Sequence, residues 1–284
     1  MRRGGRHSAT WKGLVAVTHQ IDYQDYQKAL QFDQRVTRME ALDHLTNVVI
    51  DGLKPGDGDR VLDVGTGTGR LAMVLCKKLR HGSVVGVDSG RGMLRVAREK
   101  IVRQSIDNFL LVRGGAERLP FRHASFDSAC MMLSFHHFTS PEQATVELHR
   151  VLKPKGYLFS LDPVLLEPSD SQDEKLNEAI EEAFQEAHGP QFRFFTMSQL
   201  QGLYEAAGFS KNTCQVHEFS LDRRGIESIP MGAHWAQARG NMLFRQQKDL
   251  LKRFEQKYFA FATEGQKTVV TGKMRWATIR AAKG

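Results

Sequence analysis

Three glycines at alternate positions, Gly65, Gly67 and Gly69, follow directly on the apolar run VLDV at 61–64. Glycine brings no Cβ and reaches backbone conformations closed to other residues, so a strand ending this way turns sharply and lays bare peptide groups against a ligand. A nucleotide-like ligand is implied. The dinucleotide fingerprint G-x-G-x-x-G is not met, because Arg70 stands three beyond Gly67, which disfavours a dehydrogenase. Asp63, beside the bend, repels a pyrophosphate and attracts a cationic amino group. The next apolar run, SVVGVD, ends in Asp88, 19 residues beyond Gly69, where a carboxylate can accept from both hydroxyls of a ribose. A ribose joined to a cationic, phosphate-free group describes S-adenosylmethionine.

These residues need a scaffold that delivers strand ends to one edge. From about 60 to 162, short apolar runs (RVLDVG, SVVGVD, FLLVRG, FDSACMML, YLFSLD) alternate with helix-period segments in which Leu71, Val74, Leu75 and Leu79, or Ala144, Leu148, Val151 and Leu152, share one face. Such alternation predicts βαβ units and an α/β, doubly wound, mostly parallel sheet with ligands bound at the strand ends. LKPKGY at 152–157 predicts a tight turn with a hairpin-like return. Beyond 163 a charged helix at 172–187 carries one apolar stripe and is expected to cover the ligand edge. A capping-box helix begins at Thr196 and Gln199 and stops at Gly208. A strand near 212–220, a helix around 240–260 and a final strand near 273–281 complete the reading. Residues 1–20 are expected to form a basic, flexible arm, with an organelle transit peptide as the alternative, and 21–284 one domain, with a core at about 45–162 and cap and C-terminal elements at about 163–284.

Five stretches in order, VLDVGTGTG, VGVDSGRGML, GGAERLPF, FDSACMMLSFHHF and RVLKPKGYLFSLDP, resemble the class I S-adenosylmethionine-dependent methyltransferases, in the branch of the ubiquinone/menaquinone-biosynthesis methylases. The resemblance covers about 61–162 and, more weakly, AAGF at 206–209. It implies a Rossmann-like, seven-stranded sheet with an antiparallel final strand and a helical cap. It also implies that Gly65, Thr66, Gly67 and Gly69 line the methionine portion of the cofactor, with Asp63 near its amino group and Asp88 on the ribose. Met93 matches a position lying against the adenine, with core packing the competing account. The family's adenine-loop acid is replaced by Gly115, leaving Ala116 backbone groups and Glu117 as alternatives for the ring edge. Met131 matches a position whose backbone touches the cofactor.

Methyl transfer from a sulfonium needs alignment of nucleophile, methyl and sulfur, and no metal. A base is required only when the acceptor must lose a proton. His137, in the loop after the fourth strand, is the candidate base, with a structural tie to a backbone carbonyl as its alternative. Tyr23 and Tyr26 either close over the cofactor or pack a helix. A small-molecule acceptor, planar or lipid-like, is expected, a quinone precursor among the candidates, with S-adenosylhomocysteine as product. Nucleobase and glutamine methylases carry an Asn/Asp-Pro-Pro-aromatic stretch that is absent after the fourth strand.

The net charge of +8 is carried by the ends: residues 245–284 hold ten Lys or Arg against three Asp or Glu, the first twelve residues add +4, and the body is left at −3. This distribution disfavours a nucleic-acid partner. It keeps open an RNA methylase gripping phosphates with its tails, and a peripheral contact of the basic C-terminus with an anionic membrane. A nonenzymatic S-adenosylmethionine-binding assembly protein is the alternative from another class. Three scattered cysteines and no apolar run near the roughly 18 residues of a membrane span predict a cytoplasmic protein with inert thiols.

Overall fold

The apolar runs become strands β1 (Arg60–Val64), β2 (Ser83–Asp88), β3 (Phe109–Arg113), β4 (Phe126–Met132) and β5 (Leu152–Pro163), all parallel, in a computed structural model that describes residues 22–284. The expected basic arm at 1–20 lies outside the described residues. Three more strands extend the sheet: β6 (Phe209–Gly225), β7 (Phe259–Glu264) and β8 (Lys267–Lys283). The order is β3-β2-β1-β4-β5-β8-β6, with β8 antiparallel to both β5 and β6. The doubly wound sheet and its antiparallel last strand are therefore as expected. β7 is an addition, hairpinned onto the first half of β8 through Gly265.

Alternation along the strands divides the core. Val61, Val84 and Cys130 face one cluster, which takes in α2 (Glu40–Leu53), α3 (Arg70–Lys78) and the cap. Leu62, Val64, Val85, Val87, Ala129 and Met131 face the other, under α5 (Pro141–Val151) and α7 (Met197–Ala206). Burial on both faces is why these strands read as nearly continuous apolar runs. A third, small cluster of Ala29, Met93 and Val96 joins α1 (Tyr26–Thr37) to α4 (Arg91–Gln104).

The cap consists of α6 (Ser171–His188), α8 (Gly232–Phe244) and α9 (Lys248–Lys257). The stripe Leu176, Ile180, Ala183 and Phe184 of α6 is buried against the first core cluster. The Thr196–Gln199 capping box is formed in both directions at the start of α7. Where one helix was expected over 240–260 there are two, because Gln246 takes a left-handed φ of 56° between α8 and α9. The turn expected at LKPKGY is absorbed into β5: Leu152 pairs with Phe126 and Tyr157 with Ser128, so the residues between bulge from register, with Lys155 at φ 63°. The basic C-terminal stretch is not a tail but α9, β7 and β8, and much of its charge is paired. Arg253 and Lys257 bind Asp173, and Lys273 and Arg275 bind Glu218. Among the described residues no helix is long and apolar enough to cross a membrane.

α2 lies so close to β5 that a Cβ on Gly52 would stand 2.0 Å from the Phe159 ring, itself in the core. Gly52→Ala is therefore expected to lower unfolding free energy by about 1–3 kcal/mol, as for other overpacked sites. Urea denaturation reads this directly, and an unchanged midpoint would contradict such close seating of α2.

Candidate active site

β1 stops at Val64 because the next residue must adopt a conformation and an approach that only glycine allows. Gly65 has φ 71°, and a Cβ there would lie 2.4 Å from Ser134 Cβ. Gly67, at φ 55°, differs: a Cβ there would meet nothing nearer than 4.0 Å, so the side-chain face of the bend is open at this position. Gly69 belongs to the interior, since its missing side chain points at Phe109, Met73 and Ala97, and it begins α3.

Asp88 organises this edge. One carboxylate oxygen accepts from Gly67 N–H at 2.8 Å and the other from Gly90 N–H at 2.7 Å, so the acid clamps the glycine bend to the start of α4. Its backbone carbonyl accepts from Gly114 N–H, bringing in the chain after β3. Burial raises the Asp88 carboxyl above its ordinary range, opposed by those two amide donors. Asp63 sits beneath the bend, 2 % exposed, accepting from Thr66 Oγ at 2.7 Å and from the Cys130 thiol. Burial lifts its pKa to about 6, the Thr66 and Cys130 bonds pull it down, and the charge of Asp88 adds to the rise. The two acids thus share one neighbourhood, Asp88 at the rim and Asp63 below it.

The remaining expected residues divide. Gly115 and Ala116 lie at the turn after β3, Ala116 buried. Glu117 gives one oxygen to the backbone N–H groups of Thr139 and Ser140, before α5, while its Oε2 stands 3.0 Å from where a Cβ on Gly115 would be. Met93 is packed with Ala29 and Val96 under α1, which favours its packing account. Met131 is fully buried and its backbone pairs with Ser160, so it lies inside the sheet rather than at the edge. The chain reaches the edge two residues later, at Leu133 (φ 56°) and Ser134.

Ser134 donates its hydroxyl to Val64 C=O at 2.9 Å, and Asp162, at the end of β5, accepts from the N–H groups of Ser134 and Phe135 and from His136 Nδ1. One buried carboxylate thereby fixes the whole turn after β4. That turn presents His137, whose Nε2 lies 3.3 Å from the Tyr23 hydroxyl. Burial first, then the neighbouring His136 and His188, push the His137 imidazole well below its ordinary range, so it is neutral near pH 7. Tyr23 belongs to a segment that lies across the first turn of α4, its carbonyl accepting from Gly92 and Met93 N–H. Tyr26 faces elsewhere, donating to Glu99 on the outer surface of α4 with Arg95 over its ring.

Asp162, Ser134, His188 and His234 were not expected from sequence. Asp162 had a readable signal, being a third acid at a strand end after Asp63 and Asp88; the others had none. A cavity of about 580 Å³ opens between α1, α3 and α4 and is lined by neither Asp63 nor Asp88. Its lining of paired ions such as Lys100–Asp33 and Arg70–Asp43 describes a solvated cleft, and the convergence of strand ends is the better guide to chemistry.

Residues 62–160 match a family model described as a methyltransferase domain. The demethylmenaquinone methyltransferase of Bacteroides fragilis is 28% identical over 141 residues, covering 46% of this chain and 58% of that one. That of Thermus thermophilus is 38% identical over 103 residues, covering 36% and 46%. The chain spans about half the length of these curated relatives. In fold it is similar to the YcgJ protein of Bacillus subtilis (TM-score 0.64, 22% identity, covering 85% of this chain and 98% of that one). It is likewise similar to phosphoethanolamine N-methyltransferase 2 of Haemonchus contortus in complex with S-adenosyl-L-methionine (TM-score 0.62, 16% identity, covering 96% and 61%). Residues 62–160 thus carry a methyltransferase domain similar to that of the demethylmenaquinone methyltransferases, on a sheet whose fold is shared with these solved structures.

Proposed function

We propose that the protein transfers a methyl group from S-adenosylmethionine to a small-molecule acceptor, releasing S-adenosylhomocysteine, and that the acceptor is a planar, quinol-like metabolite. The observation that carries this reading is the meeting, at one sheet edge, of the bare Gly67 peptide, the Asp88 carboxylate and the His137 imidazole. The names of the demethylmenaquinone methylases support the choice of acceptor.

The residues present suit the cofactor. Open space over Gly67 admits a ligand against the peptide, so Gly65, Thr66 and Gly67 take the methionine portion. Asp88 takes the ribose hydroxyls, exchanging its internal amide donors for them or sharing its lone pairs. Glu117 Oε2, standing over Gly115, supplies the acceptor for the adenine amine that position 115 lacks, beside the Ala116 backbone. Asp63 attracts the ammonium from beneath the bend. Met93 and Met131 support these groups from within the packing, as Gly69 does.

When bound, S-adenosylmethionine supplies an electrophilic methyl whose bond to sulfur breaks with the electron pair left on sulfur, as the acceptor's nucleophilic atom bonds the methyl carbon. His137 takes the proton the acceptor loses: neutral near pH 7, its ring keeps one nitrogen unprotonated. Tyr23 and Asp162 hold the imidazole-bearing turn in place.

Isothermal titration calorimetry is expected to show binding of both S-adenosylmethionine and S-adenosylhomocysteine, and failure of both would remove every methylation reading. Asp88→Ala should weaken either by roughly 10–100-fold, the loss of a charge-assisted bidentate contact; equal affinity would refute the ribose assignment. His137→Ala should cut turnover by about 10²–10⁴ while cofactor affinity holds, and a fully active variant would retire the base. Binding without transfer across an acceptor library would favour a nonenzymatic protein. A pH effect follows from Asp63. Its folded pKa, about 6, lies above the ordinary 3.8, so its stabilising contribution is complete below pH 4 and is lost as pH rises through 6. Urea midpoints at pH 4 and 7 should show wild type losing about 2–3 kcal/mol relative to Asp63→Asn; parallel profiles would contradict the buried, protonatable acid.

A further inference from the structure

Between the sheet edge and the cap, four rings run in a row: His136 and His137 are 4.2 Å apart by centroid, His137 and His188 5.4 Å, and His188 and His234 4.5 Å. Phe192 packs on both His137 and His188, and Phe184 packs on His188, His234 and Trp235. The row thus starts beside Tyr23 and Asp88 and ends among the aromatic side chains of α6 and α8. Three buried ring nitrogens, His188 Nε2 and His234 Nδ1 in the row and Trp235 Nε1 beside it, have no hydrogen-bond partner among the described residues. His188 is 8 % and Trp235 5 % exposed. Unpaired buried nitrogens are costly, and three in one cluster beside a proposed base mark a place where something else supplies the partners.

The electrostatics select what that is. Burial, then neighbouring His234 and His136, and then Arg35 lower His188 to about 3, and burial with Arg35 lowers His234 to about 4, so both rings are neutral. Among the described residues an ammonium group would meet no free carboxylate, because Asp162, beside His136, is already engaged by the Ser134 and Phe135 amides and the His136 ring. A permanent anion would lose its hydration among Phe184, Phe192 and Phe194. A planar molecule with a hydroxyl escapes both objections: it enters neutral, stacks on the rings and offers its oxygen and proton to the unpaired nitrogens.

We propose that His188, His234 and Trp235 hydrogen-bond the hydroxyl of a planar phenol or enol acceptor, so that these three residues set acceptor specificity. This rests on the methyl-transfer reading above and assigns residues on the cap to it.

The test uses the full chain loaded with S-adenosylhomocysteine and two anaerobic probes of closely matched shape, 1,4-naphthalenediol and 1,4-dimethylnaphthalene, titrated by fluorescence. Wild type is expected to bind the diol at least about tenfold more tightly, the discrimination expected when buried polar groups lose their partner. His188→Phe and His234→Phe keep the rings and remove the nitrogens, and should bring that ratio close to unity with S-adenosylhomocysteine affinity unchanged. Absence of a diol preference in wild type, or its survival in both variants, overturns the assignment even where S-adenosylhomocysteine binds. Failure of S-adenosylhomocysteine to bind wild type overturns the methyl-transfer reading and this one with it.

Discussion

The clamp that Asp88 places on two backbone amides is the contact on which the edge depends. A strand that ends in three alternate glycines has little intrinsic reason to hold one shape, because glycine loses more freedom on ordering than any other residue. Two short charge-assisted bonds, to Gly67 and Gly90, fix the bend against the start of α4, and the Asp88 carbonyl secures the chain after β3 through Gly114. The bend, the first turn of α4 and the loop carrying Gly115 are therefore ordered by one residue at one strand end.

Asp162 does the same for the acceptor side. It gathers Ser134, Phe135 and His136, and Ser134 in turn bonds to Val64 at the end of β1, so the turn after β4 is locked to strands on both sides. The site then grades from polar to apolar: carboxylates at β1 and β2, the neutral His137 imidazole after β4, aromatic rings under the cap. A cationic donor and a neutral, planar acceptor suit opposite ends of that gradient, and neither requires a buried unpaired charge at rest.

What the sequence made legible was local. The parallel strands followed from continuous apolar runs, the bend from glycine spacing, and the start of α7 from a four-residue capping box, each a property of neighbours in the chain. Asp63 and Asp88 could be placed at one edge because consecutive βαβ strand ends point the same way. Three features escaped for tertiary reasons. Gly69 serves packing against Phe109 rather than a ligand, which depends on a strand 40 residues away in the chain. The division of the C-terminal helix turns on a left-handed Gln246 that carries no residue signature. The pairing of His188 with His234 joins α6 to α8 across an intervening strand and helix, and no spacing announces it.

Hydrogen exchange followed by mass spectrometry, with and without S-adenosylhomocysteine, tests the central claim most directly, since it asks where the nucleoside sits without presuming an acceptor. Slowed exchange confined to residues 64–69, 88–93 and 114–118 is the result expected of a seat built on the Asp88 clamp. Protection instead along the α1, α3 and α4 cleft, with the glycine bend unaffected, would contradict it.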